Sequence, residues 1–348
     1  MSALPSTFVQ GFHNEEGVEK IKYTSLGNTD LKLSNLGVGG GTFSNFYGSL
    51  DENEAISLIR EALKSGVNYI DTSPYYGHTY SESLIGKALV GVPREAYHIS
   101  TKVGRYGTSW ADFFDHSAER IVKEFDKSLE RLGLDYVDIL FVHDVEFSPL
   151  QQILTEALPA VQSIVDRKKA RYIGISGYPV SVLWEVVEKS PVKIDAVLTY
   201  SRDCLFDTTI KKYISFFQSR QIGLINAGLT GCGLLTNEDP PQWHPGSADL
   251  KELCHNASLY CKEQGVELGK LAVHYSMQQP GHCSHLVGMK TLAQLKCNLE
   301  VATSGLSEAE SKVLAHLKEK FFNLTEDVHW EGVEIQAHRK YQAEHGIN

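Results

Sequence analysis

The sequence predicts an α/β fold, a TIM-type (β/α)8 barrel, and three observations support this. Short β-rich runs alternate with longer segments of helical period, a pattern typical of right-handed βαβ units around a parallel sheet. Eight such units lie between residues 36 and 302, and that number closes into a barrel more readily than it fills an open sheet. Chemically active side chains also stand at the ends of several predicted strands, on the rim where such barrels carry their active sites.

The eight predicted strands are short apolar runs rich in β-branched and aromatic residues. They span residues 36–39, 67–71, 97–101, 136–142, 172–175, 196–199, 223–226 and 285–287. Gly66, Gly133 and Gly265 are predicted to follow the ends of helices, because a residue with positive φ commonly comes after the last helical turn.

The predicted helices follow the strands and repeat apolar residues at helical spacing. They span residues 51–64, 82–89, 118–132, 150–167, 180–188, 208–218, 249–264 with 268–278, and 292–302. The first begins after Asp51, an N-cap residue followed by acidic residues in the first turn. Long βα loops are expected over the active face, and the clearest is the segment 236–247, which contains three prolines.

The chain is predicted to be one domain over residues 1–348, with a barrel core at about 23–304 and a C-terminal tail helix and segment at 305–348. The alternative is a doubly wound dinucleotide-binding sheet, which requires a GxGxxG turn that leads directly into a helix. The first strand is followed by glycines, but residues 44–50 are predicted to form a loop rather than a helix. The sequence therefore disfavours this alternative.

Composition and charge narrow the function classes. The formal net charge of −10 argues against nucleic-acid binding, which favours a basic surface. No apolar run approaches the roughly 20 residues that a membrane-spanning helix needs, and the N-terminus lacks a secretory pattern, so the sequence predicts a cytoplasmic protein. The six cysteines form no CxxC pair and are predicted to be free thiols. The cluster 282–285 lacks further ligands, so no metal is predicted.

Four side chains form the candidate catalytic group: Asp71 and Tyr76 near the end of one predicted strand, and Lys102 and His143 after the next two. A tyrosine hydroxyl ordinarily ionises near pH ~10, and a nearby cation such as Lys102 favours its ionised form. Asp71 would orient the lysine, and His143 would bind a substrate oxygen. Each residue alone has an ordinary structural explanation, such as an N-cap or a rim charge. Their joint placement predicts proton transfer at an alcohol or carbonyl oxygen.

The motifs around these residues resemble those of the aldo-keto reductase superfamily. The resemblance rests on IDTSPYYGHTYSESLIGKAL, STKVG, SLERLGLDYVDILFVHD, RYIGISGYP, GCGLLT and GMKTLAQLKCNL, and extends from about residue 23 to about residue 302. It implies a TIM barrel that binds NAD or NADP in extended form, without a Rossmann domain. A nicotinamide would supply the hydride acceptor or donor that side chains lack. The resemblance also implies that Asp71, Tyr76, Lys102 and His143 are the catalytic tetrad, with Tyr76 as general acid and base.

The resemblance further assigns candidate nicotinamide contacts. Ser176 matches the family's serine that contacts the carboxamide, but Gly177 replaces the asparagine that usually follows it. Ala227 stands where a tyrosine often stacks on the nicotinamide, and Tyr200 is a candidate substitute.

At the other end of the cofactor, Gly288, Lys290, Gln294 and Asn298 match the loop and helix start that hold the adenosine phosphate. Gln294 replaces an arginine that often binds the 2′-phosphate, whereas Lys290 could still bind it as a point charge. The choice between NAD and NADP therefore stays open.

Within the superfamily the chain most resembles the L-galactose dehydrogenase group and related aldose 1-dehydrogenases. The motifs are VGGGTFSNFYG, DTSPYYG, the DVEF that follows His143, and HWEGVEIQ. The resemblance implies oxidation of an aldose such as L-galactose at C1 to the lactone. Trp110, Asp144 and Glu146 are the candidate sugar contacts, since a sugar pocket needs polar groups beside an aromatic wall.

Two other functions stay open. The same tetrad could serve an NADPH-dependent aldehyde or ketone reductase of broad specificity, with an aromatic pocket. The chain could also be a cofactor-sensing regulatory subunit, as the potassium-channel β subunits of this superfamily are. The expected partners are a small-molecule sugar or carbonyl substrate, without nucleic acid or membrane, and the expected state is a monomer or weak homo-oligomer.

Overall fold

The computed structural model describes residues 4–324 and 326–346, and eight parallel strands close into a barrel within it. A two-stranded antiparallel ribbon, β1 (Tyr23–Ser25) and β2 (Lys32–Ser34), precedes the barrel. The barrel strands are β3 (Leu36–Gly39), β4 (Tyr69–Asp71), β5 (His98–Val103), β6 (Val137–Val142), β7 (Ala170–Gly177), β8 (Ala196–Tyr200), β9 (Gly223–Ala227) and β10 (Ser284–Gly288). Because β10 pairs with both β3 and β9, the ring is closed. The predicted fold class is confirmed, and so is each predicted strand.

Helices surround the barrel on its outer side, and one C-terminal helix packs over its open end. They are α1 (Glu15–Lys20), α2 (Glu52–Lys64), α3 (Tyr80–Leu89), α4 (Ala118–Leu132), α5 (Leu150–Gln152), α6 (Leu158–Asp166), α7 (Val180–Lys189), α8 (Ile214–Ser219), α9 (Ala248–Glu263), α10 (Leu268–Met277), α11 (Leu292–Ser304), α12 (Glu308–Lys320) and α13 (Val333–His345). Their inward faces and the outer faces of the strands form the main core, to which α2 contributes Leu58 and Leu63 and α4 contributes Ile121 and Phe125. Each such fully buried side chain stabilises the fold by roughly 1.5–3 kcal/mol.

Both ends of α2 follow the predicted pattern, with Asp51 at the N-cap and Gly66 after the last turn. The Asp51 side chain accepts a hydrogen bond from the Glu54 amide at 2.9 Å, which satisfies a free donor at the helix start. Gly66 has φ of +97°, and a Cβ there would lie 2.8 Å from the Tyr23 hydroxyl. Glycine is therefore required at this turn.

The β1–β2 ribbon, which the sequence analysis did not predict, covers the N-terminal end of the barrel. Its side chains Leu26, Leu31 and Leu33 are buried together with inward-facing strand residues such as Tyr69 and Phe141. The barrel is thus filled and closed at one end, and its opposite end remains for the chemistry.

Two predicted helices differ from the structure. The helix predicted at 150–167 contains a π-helical turn, Ile153–Ala157, just before Pro159; proline lacks an amide hydrogen and disturbs the regular hydrogen-bond series. The helix predicted at 208–218 is a 3₁₀ turn, Thr209–Lys212, followed by the short α8. At the start of this turn, Asp207 accepts a hydrogen bond from the Thr209 amide and Asp327 accepts one from the Thr208 amide.

The C-terminal segment contains two helices, α12 and α13, where the sequence predicted one helix and a segment. Between them the chain crosses the rim, where Trp330 stacks on Tyr178 with ring centroids 4.8 Å apart. Tail residue His338 packs against Trp110 and Phe114. The tail therefore covers part of the open end of the barrel. That residues 1–348 form one domain stays a prediction.

Residues 4–324 and 326–346 contain neither a membrane-spanning helix nor a cluster of metal ligands. None of their helices is both long and apolar enough to cross a membrane. Their His, Cys, Asp and Glu side chains also form no group of three that could hold a metal ion.

Candidate active site

Two of the predicted catalytic side chains, Asp71 and Tyr76, contact a third, Lys102. Lys102 lies in β5, and its amine donates hydrogen bonds to the Asp71 carboxylate, to the Thr72 carbonyl oxygen at 3.0 Å and to the Tyr76 hydroxyl at 3.1 Å. Asp71 ends the neighbouring strand β4 and also accepts a hydrogen bond from Ser100 at 2.7 Å. The pairing of β4 with β5 thus brings a phenol, an ammonium and a carboxylate together at the rim.

A tight turn presents Tyr76 to this group. The Tyr76 amide donates to the Ser73 carbonyl at 3.1 Å. The next residue, Gly77, has φ of +60°, and a Cβ there would lie 2.9 Å from the Cβ of Ser44. The Tyr-Gly pair is therefore a conformational requirement of the turn as well as a source of the phenol.

His143, the fourth predicted catalytic residue, immediately follows β6. Its Nδ1 lies 3.1 Å from the Ser73 hydroxyl, and its main-chain amide donates to Val103 at 2.8 Å. The imidazole meets the Tyr76 ring edge-on, with centroids 5.9 Å apart. The structure therefore brings all four predicted side chains to one place.

Burial sets the charge state of Tyr76. The pKa of its hydroxyl is raised well above 10, chiefly by desolvation and then by the Asp71 carboxylate, while Arg105 opposes the rise. The nearness of Lys102 predicted the opposite shift, a lowered pKa of Tyr76. Instead, the loss of water around the phenol outweighs the nearby cations, so Tyr76 carries its proton at neutral pH.

The other three groups are also controlled by burial. Desolvation raises the pKa of Asp71 and lowers that of Lys102, and the attraction between the two charges opposes both shifts. The pKa of His143 is lowered well below 6.5 by burial and by the charges of Lys102 and Arg105. His143 is therefore neutral, and can donate or accept one hydrogen bond at its free nitrogen.

Arg105, which the sequence analysis missed, adds a buried cation beside this group. Its guanidinium donates to the Asp144 carboxylate at 2.6 Å and lies 3.8 Å from the centroid of the Tyr75 ring. The same Asp144 oxygen lies 3.6 Å from His143 Nε2. Among the described residues, Asp144 Oδ1 and Arg105 Nε have no hydrogen-bond partner. Both atoms can therefore serve a ligand.

Glu146, predicted as a sugar contact, faces the end of β7. Its Oε1 accepts a hydrogen bond from the Tyr178 amide at 2.8 Å. Its Oε2 would lie only 2.4 Å from a Cβ at Gly177, and this oxygen has no partner in the described part of the chain. Glu146 thus occupies the space that a side chain at position 177 would need.

Trp110, the third predicted sugar contact, lies beneath the tail. Its ring packs against Phe113 and against His338 of α13, with centroids 5.3 and 5.4 Å apart. The tail also covers a narrow pocket of about 10 Å³, lined by residues that include Glu146, Tyr178, Tyr200, Trp330 and Glu334. Burial raises the pKa of Glu334, and the charge of Arg105 opposes this.

The predicted cofactor residues lie on consecutive strand ends. Ser176 and Gly177 end β7, Tyr200 ends β8, Ala227 ends β9 and Gly288 ends β10. Tyr200 and Ala227 are partners in the β8–β9 register. Ala227 has a small side chain, and at position 177 Glu146 Oε2 provides a polar atom that is unpartnered among the described residues. Such a series fits an extended dinucleotide that follows the rim.

The predicted adenosine-phosphate residues lie where β10 leads into α11. The Lys290 amide donates to the Gln294 side chain at 2.7 Å, and Asn298 is buried in α11. The Lys290 amine, however, donates to the Tyr47 carbonyl oxygen at 2.8 Å. The structure therefore brings these residues together but directs the lysine charge toward the loop that contains Tyr47.

The sequence analysis missed three residues of the site, and only one of them follows a strand end. Arg105 stands two residues after β5, so the strand-end argument that found Lys102 and His143 would also have found it. Trp330 and Glu334 stand near no strand end, and only the folded path of the tail brings them to the rim.

Comparison with known proteins defines the class. The Aldo/keto reductase family model matches residues 35–319. The chain is 40% identical to L-galactose dehydrogenase of Arabidopsis thaliana over 313 residues, which cover 88% of this chain and 97% of that protein. The protein is therefore an oxidoreductase that acts on CH–OH groups. It belongs to the aldo/keto reductase family, which confirms the resemblance drawn from its motifs.

Two further comparisons agree with this assignment. The chain is 33% identical to D-arabinose 1-dehydrogenase of Saccharomyces cerevisiae, across 83% of this chain and 91% of that protein. An aldo-keto reductase from Bacillus halodurans, solved in its holo form, matches 85% of the chain and 96% of its own length, with a TM-score of 0.69 and 25% identity. Enzymes of this family use nicotinamide cofactors.

Proposed function

We propose that the protein oxidises a cyclic aldose, such as L-galactose, at C1 to the lactone, with NAD or NADP as hydride acceptor. The contact between the Lys102 amine and the Tyr76 hydroxyl, 3.1 Å long and beside the Asp71 carboxylate, is the observation that carries the proposal. Two similar proteins named as sugar dehydrogenases, for L-galactose and D-arabinose, support the choice of substrate class.

In this proposal Tyr76 is the general acid and base. As phenolate, it takes the proton from the anomeric hydroxyl while the hydrogen on C1 leaves as hydride; the bound nicotinamide supplies the hydride acceptor. The ammonium of Lys102 stabilises the phenolate, and Asp71 holds that ammonium in place. His143, which is neutral because of its lowered pKa, positions the reacting oxygen by a hydrogen bond. This assignment uses each member of the predicted tetrad in a separate role.

The side of the site next to His143 suits a polyol. Arg105 and Asp144 form a buried ion pair with an unpartnered nitrogen and an unpartnered oxygen among the described residues. We assign these two atoms to sugar hydroxyl groups, which both donate and accept hydrogen bonds. An apolar aldehyde would leave them unsatisfied, at a cost of about 1–3 kcal/mol for each buried group. Trp110, below α13, forms part of the aromatic side of this pocket.

An assay of cofactor reduction tests the substrate class. L-galactose, L-fucose, D-arabinose and a simple secondary alcohol are each offered with NAD and with NADP, from neutral to alkaline pH. We expect turnover with at least one sugar and little with the alcohol. The rate should rise with pH, because the base form of a tyrosine whose pKa is raised becomes more abundant as pH increases.

Other outcomes of this assay point elsewhere. Inactivity toward every sugar, with NADPH consumed by a test aldehyde, would replace the proposal with the broad-specificity reductase. Inactivity in both directions, with cofactor still bound, would favour the cofactor-sensing regulatory subunit.

We further propose that NAD is preferred over NADP. The amide of Leu292 opens α11, and it donates to the Glu54 carboxylate at 3.1 Å. A helix N-terminus favours anions, but here a carboxylate of α2 already occupies the first amide. This charge would repel a 2′-phosphate bound near Lys290, whose amine donates to Tyr47.

Replacing Glu54 with glutamine is expected to raise the affinity for NADP relative to NAD by roughly fivefold, the equivalent of about 1 kcal/mol for two charges about 4 Å apart in water. Dissociation constants of both cofactors, measured by calorimetry, provide the check. Glu61→Gln makes the same charge change on an exposed part of α2 and should leave the ratio unaltered. Equal changes for both cofactors in Glu54→Gln would remove Glu54 from this role.

A further inference from the structure

Residue 177 is a glycine, whereas the family usually has an asparagine after the serine that Ser176 matches. The side chain of Glu146 occupies the space that an asparagine side chain would need. A Cβ at Gly177 would lie 2.4 Å from Glu146 Oε2 and 3.2 Å from Glu146 Cδ. Any side chain at 177 therefore collides with Glu146 as it is now placed. Since φ at Gly177 is not positive, the backbone does not itself require glycine. The requirement comes from the carboxyl group of Glu146.

The Glu146 carboxyl group is held at one oxygen and free at the other. Glu146 is 7% exposed, and its Oε1 accepts from the Tyr178 amide at 2.8 Å. Its Oε2 has no hydrogen-bond partner among the described residues. Leaving such an atom unsatisfied costs about 1–3 kcal/mol, so this oxygen is suited to a polar group of a ligand.

The charge state of this carboxyl group matters for what it can bind. Its pKa is raised well above the usual range, first by burial and then by the charge of Asp144. A neutral carboxylic acid carries one donor and further acceptor capacity. With Oε1 held by the Tyr178 amide, a proton on Oε2 makes that atom a donor as well as an acceptor. An asparagine or glutamine side chain has the same combination of donor and acceptor.

We propose that Glu146 replaces the side chain missing at position 177, and that its carboxyl group contacts the carboxamide of the bound nicotinamide. This inference rests on the nicotinamide cofactor in the proposed function and reassigns Glu146, predicted as a sugar contact, to the cofactor. Ser176, one residue earlier on the same strand end, accepts a hydrogen bond from the Asp144 amide at 3.4 Å, which ties the Glu146 loop to the end of β7.

The neighbours of Glu146 are the two strand ends that carry predicted nicotinamide contacts. Ser176 and Gly177 end β7, and Tyr200 ends the adjacent strand β8. Asp144 Oδ1 and Glu146 Oε2 are both unpartnered among the described residues, but only the Glu146 oxygen is shown to lie against position 177 at the end of β7.

The test compares two ligands that differ only by the nicotinamide. Dissociation constants of NAD and of ADP-ribose, which lacks the nicotinamide, are measured by calorimetry for the wild type, Glu146→Ala and Glu146→Gln. We expect Glu146→Ala to weaken NAD binding by roughly tenfold, the value of a hydrogen bond at the upper end of the neutral range, and to leave ADP-ribose binding unchanged. Glu146→Gln should bind NAD nearly as well as the wild type does, because its oxygen can still accept from the Tyr178 amide while its NH₂ group donates at the free position.

A paired substitution supplies a gain-of-function control. Gly177→Asn alone should destabilise the protein, since its Cβ collides with Glu146. The double variant Glu146→Ala with Gly177→Asn has room for the new amide and should recover the NAD affinity that Glu146→Ala loses. Thermal melting of each variant separates misfolding from loss of the contact.

Three results would overturn the inference. Equal losses for NAD and ADP-ribose would assign Glu146 a structural role. Unchanged NAD affinity with a raised KM for sugar would return it to the sugar pocket. Failure of the double variant to recover, although folded, would show that the two positions do not share one contact. The binding readout needs no sugar, so the absence of aldose oxidation would contradict the proposed function and leave this result standing.

Discussion

Tyr76→Phe is expected to lower kcat for aldose oxidation by roughly 10²–10⁴-fold, the usual contribution of general acid–base catalysis. The substitution removes the hydroxyl that Lys102 contacts at 3.1 Å and keeps the ring that packs against His143. The cofactor dissociation constant should therefore stay within a few-fold of the wild-type value. Steady-state kinetics with the preferred sugar, together with calorimetry of cofactor binding, measure the two quantities separately.

A matched control is available in the same segment of the chain. Tyr80 is 39% exposed, and its hydroxyl donates to Glu52 at 2.5 Å, outside the site. Tyr80→Phe removes an equivalent hydroxyl and should leave kcat near the wild-type value. If Tyr76→Phe retained activity within a few-fold of the wild type, Tyr76 would not be the acid and base, and another proton donor would have to be sought at the rim.

The fold and the tetrad were predictable because both follow local patterns. A parallel strand shows itself as a short β-rich run, and its C-terminal end locates the residue that reaches the rim. Asp71, Lys102 and His143 each follow this rule, and the Tyr-Gly turn after Asp71 gives the fourth member. The same rule applies to Arg105, which was missed only because a cation two residues beyond a strand also fits an ordinary surface position.

Other parts of the site depend on contacts between distant segments. The relation between Glu146 and Gly177 joins residues from two βα loops, and the packing of His338 on Trp110 joins the tail to an early loop. No periodicity marks such pairs. The β1–β2 ribbon was missed for a similar reason, because its two strands are each three residues long, and its role becomes evident only when its leucines are seen beneath the barrel.

The pKa of Tyr76 could not be predicted from the sequence. A sequence places a cation near the phenol but does not give the depth of burial, and here burial raises the pKa that the cation was expected to lower. The balance includes charges from other strand ends, such as Asp144 and Arg105. Charge states in such a site therefore follow from the three-dimensional structure.

Lys102→Met is expected to reduce the free energy of unfolding by about 3–5 kcal/mol at neutral pH, because it leaves the Asp71 carboxylate buried without its partner. Asp71 is 3% exposed and Lys102 is 1% exposed, so water cannot replace the lost interaction. Urea unfolding monitored by circular dichroism measures this change. The double variant Asp71→Asn with Lys102→Met removes both charges, so it should recover much of the stability while remaining inactive.

The loss in Lys102→Met should also depend on pH in a definite direction. Burial raises the pKa of Asp71, and Lys102 opposes that rise; without the lysine the folded-state pKa lies further above its unfolded value. A group whose pKa is higher in the folded state binds its proton more tightly there, so its stabilising effect is present at low pH and is lost as pH rises through the folded-state pKa. The gap between Lys102→Met and wild type should therefore narrow on acidification, down to the pH at which other groups begin to titrate. A gap that stays constant with pH, or one that the added Asp71→Asn change does not reduce, would show that the destabilisation comes from lost packing rather than from a buried charge.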